Sequence, residues 1–160
     1  MRHLLAPGLI CAFIVAAAGL ECACAADDAP SNYWLVRDGQ PAAAVVVAEG
    51  AGEPVRRAAE LFVATVREST GAELPVVHEP PGAGTAVFVG PGPWTDAAPV
   101  EQEGLDDDGF DILFPDEHSI LILGPTDYGT EFGVCEFLER FVGVRWLLPG
   151  PDGTDVPKHT

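Results

Sequence analysis

Chemistry in a chain usually announces itself through a few side-chain types at fixed spacings, so the acids, histidines, serines, cysteines and tryptophans are the place to begin. Asp106, Asp107 and Asp108 stand in a row, and Glu131, Glu136 and Glu139 share one predicted helix. Glycoside hydrolysis by paired acids needs two carboxyl groups about 5 to 9.5 Å apart across a sugar-sized cleft, one of them with a raised pKa. A solvated triplet of like charges cannot be tuned one by one, and acids on a single helix cannot embrace a substrate. These carboxylates therefore read as surface acids. His78, His118 and His159 lie far apart, and none sits at metal-ligand spacing to a second His or Cys. Ser31, Ser69 and Ser119 lack a nucleophile-elbow context. No catalytic residue, cofactor site or metal site is expected.

Residues 124–130, GPTDYGT, have the glycine spacing of a phosphate loop between a strand and a helix. Thr130 stands where the lysine should follow the second glycine, and Asp127 would repel an incoming phosphate. The segment reads instead as a helix start, with Thr126 or Asp127 as cap and Gly129 permitting close packing. Two tryptophans carry the remaining interest, because an indole ring stacks on the C–H face of a pyranose. Trp94 follows Gly-Pro-Gly-Pro in a loop expected to be exposed. Trp146 lies in a short strand beside Arg145, either in the core or aimed at a neighbour.

The elements that position these residues follow a leader. Arg2 and His3, the apolar run to Leu20, and the small-x-small Ala23-Cys24-Ala25 describe a signal peptide over 1–26, so the protein is expected to be exported, periplasmic or extracellular. The uninterrupted apolar run from Leu9 to Leu20 is shorter than the ~20 residues that span a bilayer. Cleavage removes Cys11, Cys22 and Cys24 and leaves Cys135 alone, inside a helical apolar pattern, as a small buried hydrophobe. About 134 residues remain, room for one compact domain. A (β/α)₈ barrel needs ~200 or more. The formal net charge of −17 repels phosphate backbones and anionic lipid, so neither nucleic acid nor membrane is an expected partner.

Strands are expected over 33–37, 43–47, 74–77, 86–89, 111–114, 119–123 and 144–147, with a turn at Asp38-Gly39 and a hairpin about residues 115–118. Val55, Ala59, Phe62 and Val66 recur at helical spacing after Pro54, and Gly71 closes that helix. A second helix is expected over 129–142, its buried stripe formed by Val134, Phe137, Leu138, Phe141 and Val142. Two helices on a mixed sheet of about six strands make an α+β fold, a two-layer α/β sandwich.

Taken in order, AAELFVATVRESTGAELPVV (58–77), VFVGP (87–91), DGFDI (108–112), ILILGPTDYGTEFGVCEFLE (120–139) and GVRWLLPG (143–150) resemble the N-terminal domain of the family 67 α-glucuronidases and of related large exported carbohydrate-active proteins. That domain is similar to the second domain of bacterial β-hexosaminidases. The resemblance covers most of residues 33–158 and implies a domain over 27–148 without catalytic residues, packed against a (β/α)₈ barrel that carries the acids. Residues 149–160 would be a Pro/Gly linker towards that barrel, which the sequence to Thr160 does not contain. The resemblance also implies that Arg145 and Trp146 approach the barrel's substrate cleft. Tyr128 stands where the family often has Arg. Arg145, Trp146, Trp94 and Tyr128 are thus the candidate contacts for carbohydrate or barrel. The function expected is that of a non-catalytic accessory domain of a secreted polysaccharide-degrading hydrolase, inactive alone. The other reading is a standalone carbohydrate-binding module that uses an exposed tryptophan.

Overall fold

A computed structural model describes residues 33–95, 104–150 and 153–159. The expected signal peptide lies outside the described residues, as do Cys11, Cys22 and Cys24. The chain enters through a small hairpin, β1 (Val36–Arg37) and β2 (Gln40–Pro41), whose two-residue turn places Asp38 and Gly39 both at positive φ. Such a turn matches the right-handed twist of its flanking strands and favours this Asp-Gly pair. β3 (Ala43–Val46) then leads into α1 (Glu53–Thr70). Pro54 occupies the first turn of α1, where a missing N–H costs nothing, and Glu53 complements the helix dipole. Gly71 takes the left-handed conformation at φ 79° and donates its N–H to the Arg67 carbonyl, ending the helix where the sequence predicts.

β4 (Val76–Val77), β5 (Thr85–Val89), β6 (Asp111–Asp116) and β7 (Ser119–Leu123) complete a five-stranded sheet in the order β4-β3-β5-β7-β6. β3 pairs in parallel with β4 and β5, and β5 with β7; only β6 runs antiparallel, as the hairpin partner of β7. Edge strand β6 carries Pro115 beside a register shift between Leu113 and Asp116, a place where a missing ladder donor is tolerated. The Asp116 carboxylate accepts the His118 N–H at 2.7 Å, which stabilises the turn and lowers its pKa. α2 (Asp127–Phe137) continues through a π-helical turn (Leu138–Val142) to Gly143 at φ 86°. Thr126 caps α2, its hydroxyl accepting the Gly129 N–H at 3.0 Å.

Both helices lie on one face of the sheet. Val45, Val87, Val89, Ile120 and Ile122 point there and pack with Val55, Phe62 and Val66 of α1 and Val134, Phe137 and Leu138. The opposite face holds a smaller buried cluster of Val46, Ala86, Phe88, Leu121 and Leu123. Burial on both faces is why β3, β5 and β7 read as unbroken apolar runs rather than as alternating strands.

The α+β architecture matches the sequence expectation, but the main sheet has five strands rather than about six, because the expected strand over 33–37 supplies only β1, paired with β2 outside it. The segment over 144–147 does not join the main sheet: β8 (Arg145–Trp146) pairs antiparallel with β9 (Thr154–Asp155) in a separate ribbon. The stretch expected as a linker leading away instead turns back. Ser69 donates its hydroxyl to the Pro157 carbonyl at 2.6 Å, the His159 N–H reaches the Ser69 carbonyl at 2.8 Å, and Val156 packs on the main core. The physical reason is apolar burial together with satisfied backbone groups at the end of α1, neither of which is visible in a Pro/Gly-rich composition.

Gly124 and Gly129 allow the start of α2 to press on the backbone at Gly109. A Cβ at position 129 would run into the Gly109 carbonyl oxygen, and one at position 124 into the same atom. Helix propensity alone would reward Gly129→Ala by about 1 kcal/mol. The clash is with backbone and has no flexible side chain to move aside, so it outweighs that gain. Gly129→Ala is expected to destabilise by about 1–3 kcal/mol in urea unfolding, while Gly50→Ala, with open space around it, stays within about 0.5 kcal/mol of the parent. Stabilisation by Gly129→Ala would overturn this packing account.

Candidate functional site

The parallel strands send the starts of both helices to one edge of the sheet. Gly52, the N-cap of α1, lies against the Asp127 carboxylate at the first position of α2. One turn further, Arg57 grips Glu131 with two nitrogens at 2.9 and 2.6 Å, which raises the guanidinium pKa through that hydrogen bond and its charge. Phe62 and Phe137 meet at 5.4 Å midway, and His159 joins the far ends by bonding Ser69 and Val142 carbonyls. The two helices are therefore parallel neighbours. An edge with two helix N-termini would attract an anion. Here Glu53 and Asp127 already occupy those ends, and Thr126 also holds the Asp107 carbonyl at 2.6 Å, bringing the acidic triplet alongside. Acidic side chains thus stand where an anion would otherwise be drawn to the helix starts.

The four sequence candidates do not converge. Tyr128 stands at this acidic edge, 59% exposed, one helical turn before exposed Phe132. Trp94 belongs to the loop after β5, near the same edge but on the sheet face away from the helices. It is not free in solvent: its ring lies 5.0 Å from Phe88 and its indole N–H donates to the Gly90 carbonyl at 3.1 Å. The expectation of an exposed Trp94 is corrected by the second apolar face, which this ring helps to cover. Arg145 and Trp146 lie beyond the other end of α2, roughly 20 Å from Tyr128 at the rise of a helix.

At that far end the β8–β9 ribbon shapes an apolar ledge. Trp146, Leu147 and Leu148 are 38%, 66% and 71% exposed, in sequence and side by side. The ledge is held firmly, because the Leu147 and Leu148 N–H groups both donate to the Gly153 carbonyl, at 2.7 and 3.2 Å. Gly153 is needed there, since a Cβ would strike the Leu148 carbonyl. With Pro149, Gly150 and Thr154 these side chains bound a shallow concavity of about 430 Å³. Three consecutive large apolar side chains left open to water are the kind of surface that marks an interaction site. Trp34, which the sequence reading passed over inside an expected strand, is a further open indole at 51% exposure, with the Arg37 guanidinium 5.5 Å above its ring.

Among the described residues no group of three or more His, Cys, Asp or Glu is placed to hold a metal ion. Cys135 is half-buried on α2, and burial, followed by the charge of Glu131, pushes its thiol pKa up. That is the reverse of nucleophile activation.

No family model matches the chain, and no curated protein matches it. Among solved structures it is similar to part of a family GH115 4-O-methyl-α-glucuronidase with specificity for decorated arabinogalactans. The TM-score is 0.53 at 16% identity, over 75% of this chain and 16% of that one. It is also similar to part of a GH138 enzyme targeting pectin rhamnogalacturonan II, with a TM-score of 0.45 at 15% identity, over 61% of this chain and 10% of that one. The chain thus spans only a small part of either protein. At such identity the likeness is one of fold, and the fold is one found within carbohydrate-active enzymes.

The thiol offers a direct check on this reading of Cys135. Alkylation by iodoacetamide, followed by mass spectrometry of the peptide that holds Cys135, is expected to rise with pH through a midpoint above the ~8.5 of an exposed thiol. A midpoint at or below that value would mean an activated cysteine and would reopen the question of nucleophilic chemistry.

Proposed function

We propose that this protein is a non-catalytic accessory domain of an exported, polysaccharide-degrading glycoside hydrolase, related to the N-terminal domain of the family 67 α-glucuronidases. The observation that carries the reading is the apolar ledge of Trp146, Leu147 and Leu148, held by the Leu147 and Leu148 N–H groups on the Gly153 carbonyl. Support comes from the five ordered sequence motifs and from a fold shared with part of a GH115 glucuronidase. In this reading the ledge seats the domain on a (β/α)₈ catalytic barrel, in the same chain or another. Arg145, exposed beside Trp146, lies where it can approach that barrel's cleft. Tyr128, at the opposite end, is then free of the interface.

The second reading, a standalone carbohydrate-binding module, is favoured by the openness of Trp146 and weakened by Trp94, whose ring is already committed to Phe88. A binding platform needs polar partners around its ring, and the ledge supplies chiefly leucine. Burial of that leucine by a protein partner accounts for the surface better than a sugar does.

Two outcomes follow. The purified protein is expected to release no product above the buffer blank from aryl glucuronides or xylo-oligosaccharides; sustained turnover would sink the accessory reading. Replacing both Leu147 and Leu148 by Asp is expected to leave the unfolding midpoint within the spread of ordinary surface substitutions, about ±0.5 kcal/mol. The same change should lower binding of a hydrophobic dye and any self-association. A large loss of stability would instead mean that the ledge is structural core rather than a docking face.

A further inference from the structure

We propose that the cavity at the carboxyl ends of β3 and β4 binds a small organic cation, an ammonium carried on an apolar body about the size of one benzene ring. The cavity encloses about 200 Å³ between the strand ends, with Val47, Val76 and His78, and the flank of α1, with Arg56, Ala59 and Glu60. Ligands of open α/β sheets lodge outside the carboxyl ends of the strands. Val47 and Ala59 are buried, whereas Val76 is 49% exposed, so apolar surface opens to water here. The volume suits one ring, since an apolar cavity of about 150 Å³ takes up benzene. It lies below the ~300–1,000 Å³ of pockets for drug-sized ligands, which excludes a nucleotide or an oligomer.

The class of ligand follows from the polar groups that share this lining. The His78 Nδ1 lies 2.9 Å from the Val47 carbonyl oxygen, which can only accept, so Nδ1 carries the hydrogen. The neutral ring then has its tautomer fixed and keeps an unused lone pair on Nε2. Glu49, also in the lining, and Glu60 are exposed, and among the described residues neither makes a hydrogen bond or an ion pair. Arg56 is the one cation of the lining, and it donates to the Ala51 carbonyl in the loop before α1. The positive end of α1 is offset by Glu53 in its first turn.

The unanswered groups are therefore acceptors, two carboxylates and an imidazole nitrogen, beside an apolar floor. Their complement is a donor-rich positive charge on a hydrocarbon body. A carboxylate ligand would meet Glu49 and Glu60. A neutral ring of the same size would fill the floor but leave both acids without a partner. A metal ion is not the ligand, because among the described residues no three His, Cys, Asp or Glu are placed to hold one. None of this draws on the carbohydrate reading or on the ledge of Trp146, so either can fail without the other.

The test is a titration of the intact protein with benzylamine, read at the His78 ring protons by NMR, with benzyl alcohol and benzoate as comparators. A saturable shift with a millimolar midpoint is expected for benzylamine, about fivefold or more weaker for benzyl alcohol and absent for benzoate. His118 in the β6–β7 turn, at the opposite edge of the sheet, serves as the control for general attraction to an acidic protein. Replacing both exposed acids, Glu49→Gln with Glu60→Gln, should weaken benzylamine about tenfold and leave benzyl alcohol and the circular dichroism unchanged. No saturable shift at His78 up to about 50 mM overturns the site, as does an equal shift at His118. Equal affinity for benzyl alcohol or benzoate, or an unchanged midpoint in the double variant, overturns the cationic assignment.

Discussion

The parallel register of β3, β5 and β7 is the constraint on which the rest depends. Val45 lies beside Val87, and Val87 beside Ile120, so three strands point the same way and every one of them must exit at the same edge. A chain that exits there can return only by crossing a face, and α1 makes that return between β3 and β4. α2 leaves from the same edge after β7 and therefore runs parallel to α1. Their shared apolar stripe, centred on Phe62, Phe137 and Val134, is the main core. The close approach of Gly124 and Gly129 to Gly109 is a consequence, because α2 has to begin directly against the strand-β6 entry.

That topology also divides the molecule into two unlike ends. Where the helices begin, Glu53, Asp127, Glu131 and the backbone of Asp107 crowd together, offset by Arg57. Negative side chains there stabilise both helix dipoles, and the same placement leaves little attraction for an anionic ligand. Where the helices end, the returning tail brings Lys158 to Glu68 and His159 to the Ser69 and Val142 carbonyls, with Arg145 on the neighbouring ribbon. The strongly negative total hides this division.

Local signals were legible in the sequence and non-local ones were not. Pro54 and Gly71 mark the limits of α1 because helix ends are decided by a residue's own φ and N–H. Asp38-Gly39 and the β6–β7 hairpin were equally readable, and Thr126 was one of the two caps proposed for α2. The pairing of Arg145-Trp146 with Thr154-Asp155 was invisible, since two-residue strands carry no periodicity and their partner lay in a stretch read as linker. Trp94 was placed in water because a Gly/Pro loop suggests exposure. The unbroken apolar runs of β3, β5 and β7 did signal a second buried face that would need covering. Trp34 was missed for the opposite reason: within Tyr-Trp-Leu-Val-Arg it looks like one more strand residue, and only the folding back of Pro157 to His159 makes a concavity beside it.

The two edge strands have a further consequence. β4 is only two residues long, and β6 is interrupted by Pro115 and a register shift and flanked by Asp111 and Asp116. Neither offers the long row of unpaired amides and carbonyls on which a foreign strand could zip. Association through the edges of this main sheet is thereby disfavoured, which leaves side chains fitted to side chains as its route there. The same blunted borders guard the protein against growing its sheet, molecule upon molecule, into a fibril.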